Sequence, residues 1–240
     1  MTLAWLAGAA VIFGAHVVFG LAGFGVGLAA MAFLPYLMPP ATAVVLLTVY
    51  AMIFAVVIVV PLRREVTLRP LAGLIAGSIA GTPLGVWVLA VAPAALVNRL
   101  IGAMLVVVVA LEFSGRLARG FTAPGWSVGA GVLSGVTGGA VGLPGPPVIV
   151  YMTTQQWSPR TFKANLQAYF IVNQGVILLG YWMAGLITAD VVRLTGAYLL
   201  PALAGILLGM SLFTRVDPVR FRRVVFMLLV VSGLVLLVGG

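Results

Sequence analysis

Long apolar runs separated by short polar breaks make up the chain. Leu3–Met38 is apolar and rich in glycine, Ala41–Val60 is uninterrupted and closed by Pro61, and Leu71–Val91 and Val97–Phe113 follow. Gly125–Met152 is again rich in glycine and holds Pro144, Pro146 and Pro147. Phe162–Ala184, Val191–Phe213 and Val219–Val238 complete the series. The runs are continuous rather than alternating, and most approach the roughly 20 residues a helix needs to cross a bilayer. The pattern therefore predicts membrane-spanning helices and not a barrel. The breaks, among them Leu62–Arg69, Ser114–Pro124 and Thr153–Thr161, are too short for a soluble domain. No basic residue precedes the first run, and its apolar character continues past residue 30, which argues against a cleaved leader.

Composition sharpens this reading. Hydrophobic residues are 63% and charged residues 7% of the 240, with a mean hydropathy of +1.25. So few charges do not cover a soluble fold of this size, where about 25% is usual. The absence of cysteine excludes a disulfide framework, a thiolate metal site and a cysteine nucleophile.

The Gly-rich segments recur. Gly20–Leu28 matches Gly135–Leu143 at an offset of 115, Pro40, Thr42 and Tyr50 match Pro159, Thr161 and Tyr169, and Gly81 and Gly85 match Gly205 and Gly209. The order is the same in both halves: a Gly-rich segment, then three helices. This divides the chain into a first membrane repeat, 1–113, a cytoplasmic linker, 114–124, and a second repeat, 125–240. Two full crossings need roughly 40 residues, whereas Gly125–Met152 supplies 28. Its prolines also forbid one continuous helix. The segment crosses once in broken form or returns as a re-entrant hairpin.

Charge chooses between these. The net charge is +9, from 13 basic and 4 acidic residues. If both Gly-rich segments return to the side they left, Arg63, Arg64, Arg69, Arg116, Arg119, Arg160, Lys163, Arg215, Arg220, Arg222 and Arg223 share one side, and only Arg99 and Arg193 lie on the other. The positive-inside rule favours that arrangement. The repeats are then inverted, as in many secondary transporters, and both termini face outward. Topology and anionic headgroups account for the basic residues, so no nucleic-acid partner is expected.

Irregular backbone at membrane depth is tolerated only where protein buries it or a watery cavity runs beside it. Helix N-termini at such breaks favour an anion, and glycine permits its close approach. The candidate substrate residues are Gly20, Gly23, Phe24 and Gly25 in the first segment, and Ser134, Thr137, Gly138, Gly139, Gly142 and Pro144 in the second. Asn165 and Asn173 join them from the following helix. Lys163 opens that helix, either to draw an anion into the inner vestibule or as a snorkelling anchor. The glycines also admit a reading as helix-packing positions alone. His16 is read as a hydrogen-bonded packing residue in preference to a proton carrier.

Glu65, Glu112, Asp190 and Asp217 all lie at helix ends or in loops, so no carboxylate is expected at the midplane, as a cation carrier or proton relay would need. Catalysis is not expected. Gly131-Val132-Leu133-Ser134-Gly135 lacks the spacing of a rhomboid-type serine site, both aspartates sit in loops, and no Walker A sequence is present. One histidine and no cysteine make a metal site unexpected, and no cofactor is implied.

The chain resembles the sulfite exporter TauE/SafE family, also called the 4-toluene sulfonate uptake permease family. The resemblance rests on Phe19-Gly20-Leu21-Ala22-Gly23-Phe24-Gly25-Val26-Gly27, on Gly131 through Pro147, and on the duplicated layout over nearly the whole chain. The first segment departs from the second in lacking its Pro-rich ending. The resemblance implies a multi-pass carrier of the bacterial inner membrane that moves sulfite, organosulfonates or related sulfur anions. The expected function is thus export of small sulfur-containing anions by alternating access. An anion channel of the same architecture and a non-transporting scaffold are the alternatives. A small anionic substrate and the lipid bilayer are the expected partners, and the layout is compatible with a homo-oligomer.

Overall fold

A computed structural model describes residues 3–113 and 125–212, together with Leu234, Leu236 and Leu237. The expected linker 114–124 lies outside them, as does most of the expected span Val219–Val238. Regular structure among the described residues is helical: α1 Leu3–Ala22, α2 Val26–Met31, α3 Pro40–Val59, α4 Ala72–Val91, α5 Ala94–Phe113, α6 Trp126–Val141, α7 Gly145–Thr153, α8 Pro159–Met183, α9 Ala189–Ala197 and α10 Leu199–Leu212. Three 3-10 turns connect them, at Leu34–Tyr36, Val60–Glu65 and Arg69–Leu71. Among the described residues three stretches are long and apolar enough to cross a membrane, Leu3–Ala22, Pro40–Glu65 and Arg69–Val91, and the α9–α10 pair makes a fourth if counted as one span. Large apolar side chains such as Val57, Leu84, Trp87, Leu179 and Leu207 stay exposed along the helices, as lipid contact requires.

Local chemistry sets the helix boundaries. Ser158 caps α8, its Oγ accepting the Thr161 N–H at 3.2 Å, and Pro159 fills the first helical position. Thr188 caps α9 in the same way through the Val191 N–H at 3.3 Å, with Asp190 in the first turn. Both Gly-rich segments break where the sequence implies. Gly23 and Gly25 have φ of 77° and 89°, ending α1 and opening α2. Gly142, at φ 71°, ends α6. One expected helix is not continuous: Val191–Phe213 divides at Tyr198, where α9 and α10 meet at 50°. Pro201 explains the bend, because it has no N–H for the Ala197 carbonyl and its ring crowds that carbonyl.

The described chain forms two compact units. One takes residues from 1–47, 92–109 and 187–240, the other from 48–91 and 110–186. Both draw on both halves of the sequence, so this grouping by contact is distinct from the division into repeats.

Each unit is built on one parallel helix pair whose backbones touch. In the first unit, a Cβ on Gly205 would meet the Phe13 carbonyl and one on Gly209 the Val17 carbonyl, so α10 runs alongside α1. In the second, Gly77 meets the Val128 carbonyl and Gly81 the Val132 carbonyl, so α4 runs alongside α6. The contacts correspond residue by residue. Gly20 abuts Ile206, Gly209 and Met210, and Gly135 abuts Ser78, Gly81 and Thr82. By contact, Gly205 and Gly209 therefore correspond to Gly77 and Gly81, one helical turn from the sequence match to Gly81 and Gly85. Small gaps let either glycine pair align, and only the facing helix fixes the register.

Gly14 supplies a control for these packed glycines. It is exposed within α1 and has nothing within 4 Å of an added Cβ. Gly14→Ala is expected to leave transport intact and to stabilise the solubilised protein by about 0.5–1 kcal/mol, the helix-propensity difference. A fall in melting temperature would show that this face is covered.

Candidate functional site

The second unit assembles most of the candidate residues around the break between α6 and α7. The Gly142 N–H bonds the Gly138 carbonyl at 3.0 Å and the Leu143 N–H bonds the Thr137 carbonyl at 3.3 Å, which closes the end of α6. α7 then runs back. Ser127, at the start of α6, lies against Gly73 at the start of α4, while the Tyr151 hydroxyl near the end of α7 donates to the Pro70 carbonyl at 3.1 Å. Both ends of the segment thus sit beside the 60–71 connection, and the break lies away from it.

α8 starts at that same end. The Thr161 hydroxyl donates to Glu65 at 3.2 Å, the Thr67 N–H donates to Asn165 Oδ1 at 2.7 Å, and Asn165 Nδ2 donates to Thr67 Oγ1 at 2.8 Å. From there Asn165, Tyr169, Asn173, Ile177 and Tyr181 recur every four residues as a buried stripe that winds slowly around the helix. Tyr169 donates to Ser134 Oγ at 2.8 Å, and Ser134 donates onward to the Pro144 carbonyl at 2.6 Å. Twelve residues further on, the Tyr181 hydroxyl lies 2.8 Å from the Gly139 carbonyl and 3.2 Å from that of Gly138. The Ile177 side-chain end occupies the space beside Gly138, along with Pro144. The stripe therefore lies along the break, held above and below by tyrosines.

Asn173 stands between those two anchors. It is fully buried, and neither Nδ2 nor Oδ1 has a hydrogen-bond partner in the protein. Gln174 Oε1, on the next residue, is buried without a partner as well. Asn165, the same residue type two turns earlier, has its amide engaged by Thr67. A buried amide without partners costs roughly 1–3 kcal/mol, so Asn173 is held at a loss to stability.

The remaining candidates separate by role. Thr137 Oγ1 reaches the Leu133 and Leu143 carbonyls at 2.9 and 3.0 Å, and so braces the break. Gly139 packs against α4, where a Cβ would lie 2.9 Å from the Val86 nitrogen. Of the first three positions of α7, Gly145, Pro146 and Pro147, only Gly145 has an N–H. The backbone donors expected of a helix start are therefore largely absent there. Gly20, Gly23, Phe24 and Gly25 belong to the first unit: Gly20 packs on α10, buried Gly23 donates to the Phe19 carbonyl at 2.7 Å, and half-buried Phe24 precedes Gly25. Lys163 is half-buried, the fifth residue of α8, ten residues and about 15 Å along the axis from Asn173. His16 is buried with Nδ1 2.7 Å from the Ile12 carbonyl, as a packing residue is.

Sequence reasoning missed the two tyrosines. The signal was the spacing of Tyr169 four residues before Asn173 and of Tyr181 eight after it, which keeps all three on one buried stripe of the helix. Among the described residues no cluster of histidine and acidic side chains is arranged for a metal ion. Glu65 and Asp190 are exposed, and the side chains of Glu112 and Asp217 lie outside the described set.

The family model described as Sulfite exporter TauE/SafE matches residues 8–236. No curated protein and no solved structure matches the chain.

Proposed function

The chain belongs to the sulfite exporter TauE/SafE family, a family of membrane transporters of sulfite and related anions and not of enzymes, and from that premise we propose that it exports small sulfur-containing anions through a site at the α6–α7 break. The observation that carries this reading is Asn173, a buried amide without protein partners beside that break. A hydrogen-bonding site that serves a passing ligand leaves such groups unpaired between loads, at a cost to stability.

Alternating access between two inverted repeats in a bacterial inner membrane is the proposed mechanism. The matching parallel pairs support a duplicated framework. The return of α7 to the 60–71 connection supports a re-entrant second segment. The same geometry gathers Arg63, Arg64, Arg69 and Arg160, all exposed, at one end of the unit, in keeping with a cytoplasmic face. Lys163 sits at that end and is proposed to raise the local anion concentration by long-range attraction.

Topology is tested by labelling. The protein has no native cysteine, and Ser158 and Thr188 are exposed caps at opposite ends of α8 and its following loop. Ser158→Cys is expected to react with a membrane-impermeant maleimide only from the cytoplasm, and Thr188→Cys only from outside. Reaction of both from one side would refute the arrangement.

Function is tested with the purified chain in liposomes. Saturable sulfite flux with counterflow is expected, and a cation of similar size is expected not to compete. Flux that never saturates would indicate a channel, and saturable cation flux without competition by sulfur anions would overturn the assignment.

A further inference from the structure

Both halves of the Asn173 amide lack a protein partner, and this restricts what a ligand there must offer. An oxyanion without a proton satisfies Nδ2 but turns negative oxygen toward Oδ1, whose lone pairs then remain buried and opposed by like charge. A ligand that meets both groups needs an oxygen that accepts and, on the same central atom, a hydroxyl that donates. Interchanging the amide nitrogen and oxygen changes nothing in this argument, because both positions are unpaired. No basic residue lies on the buried face of α8 to offset a second negative charge: it carries Ala164, Leu166, Gln167 and Phe170 beside the stripe of amides and tyrosines. Tyr169 and Tyr181 direct their hydroxyl protons to Ser134 and to backbone carbonyls, so they are not the missing donors.

We infer that Asn173 selects a singly protonated oxyanion, its Nδ2 donating to the charged oxygen and its Oδ1 accepting from the hydroxyl. This rests on the reading of the break as an anion site, and within the sulfur anions it points to hydrogensulfite rather than the sulfite dianion. No bond is made or broken in the recognition.

Methanesulfinate is the discriminating probe. It has the charge, the two terminal oxygens and the pyramidal sulfur of hydrogensulfite, HO–SO2−, but bears a methyl group where the hydroxyl would be. In liposomes containing the full chain, at a fixed pH where hydrogensulfite predominates, methanesulfinate is expected to compete with sulfite flux at least about a hundredfold more weakly than unlabelled sulfite does, as when a site built for a hydroxyl meets an analogue without one. Above the pH of hydrogensulfite ionisation, KM for total sulfite is expected to rise about tenfold per pH unit. In Asn173→Leu the two anions are expected to compete within a few-fold of each other. Equal competition in the wild-type protein would overturn the selection of a protonated anion while leaving anion transport standing, and this arm needs no variant to fold. Failure of the wild-type protein to carry any sulfur oxyanion would overturn the anion site and this inference together.

Discussion

Asn173→Leu is expected to lower sulfite flux at least tenfold while making the protein more stable. A hydrogen bond to a charged partner contributes about 1.5–3 kcal/mol, so its loss lowers apparent affinity by about ten- to a hundredfold. Leucine matches asparagine's side chain in heavy-atom count and branching, though it is the bulkier of the two, and removes an amide that is fully buried without a protein partner. Removing that penalty of roughly 1–3 kcal/mol raises the melting temperature by about 2–4 °C per kcal/mol in a chain of this length. Asn165→Leu provides the opposite sign. It strands the Thr67 N–H, which now donates at 2.7 Å, and is expected to lower the melting temperature. Flux and thermal melting of the two variants in the same detergent and liposomes decide the matter. Unchanged flux in Asn173→Leu would remove the amide from the transport site.

Gly135→Val is expected to have the largest effect on folding. A Cβ there would lie 2.8 Å from the Thr82 nitrogen and 3.1 Å from the Gly81 carbonyl carbon, with the Ser78 carbonyl nearer still. These are backbone atoms inside a helix, and they cannot swing aside. Overpacking a core costs about 1–3 kcal/mol where side chains can yield, and more where the helices must separate. Gly138→Ala makes the comparison: its Cβ meets the Ile177 Cδ1 at 2.8 Å, the mobile end of a side chain, and the Pro144 Cβ at 3.0 Å, and no helix backbone as close as at Gly135. Gly135→Val is expected to abolish folded protein on size-exclusion chromatography, and Gly138→Ala to lower the melting temperature by only a few degrees. Equal behaviour of the two would mean that α4 and α6 are less closely packed than described.

Helix type and the positions of both breaks were readable along the chain, because glycine with positive φ and proline without an N–H act locally. The bend at Tyr198 was in principle readable too: Pro201 lies within an apolar run, but continuous hydrophobicity hid it. The roles of Asn165 and Asn173 were not separable in one dimension. They are the same residue on the same helix face, and only a partner 98 positions away, Thr67, satisfies one and leaves the other. The register of the repeat was ambiguous for a related reason. Glycines spaced by four match each other after a shift of one turn, and the facing backbone alone decides between the alternatives.

That spacing also has a mechanical consequence. Gly73, Gly77, Gly81 and Gly85 on α4 face Gly131, Gly135 and Gly139 on α6, each recurring every fourth residue. The two helices therefore mesh like racks with equal teeth. A slip of one or two residues drives side chains into carbonyls, and the next clear position is a whole turn away, about 6 Å along the axis. Small sliding is locked out, and the pair moves as a single strut. Any bending of this unit is left to softer joints, such as the α6–α7 break, where the neighbours of Gly138 are the tip of Ile177 and the Pro144 ring.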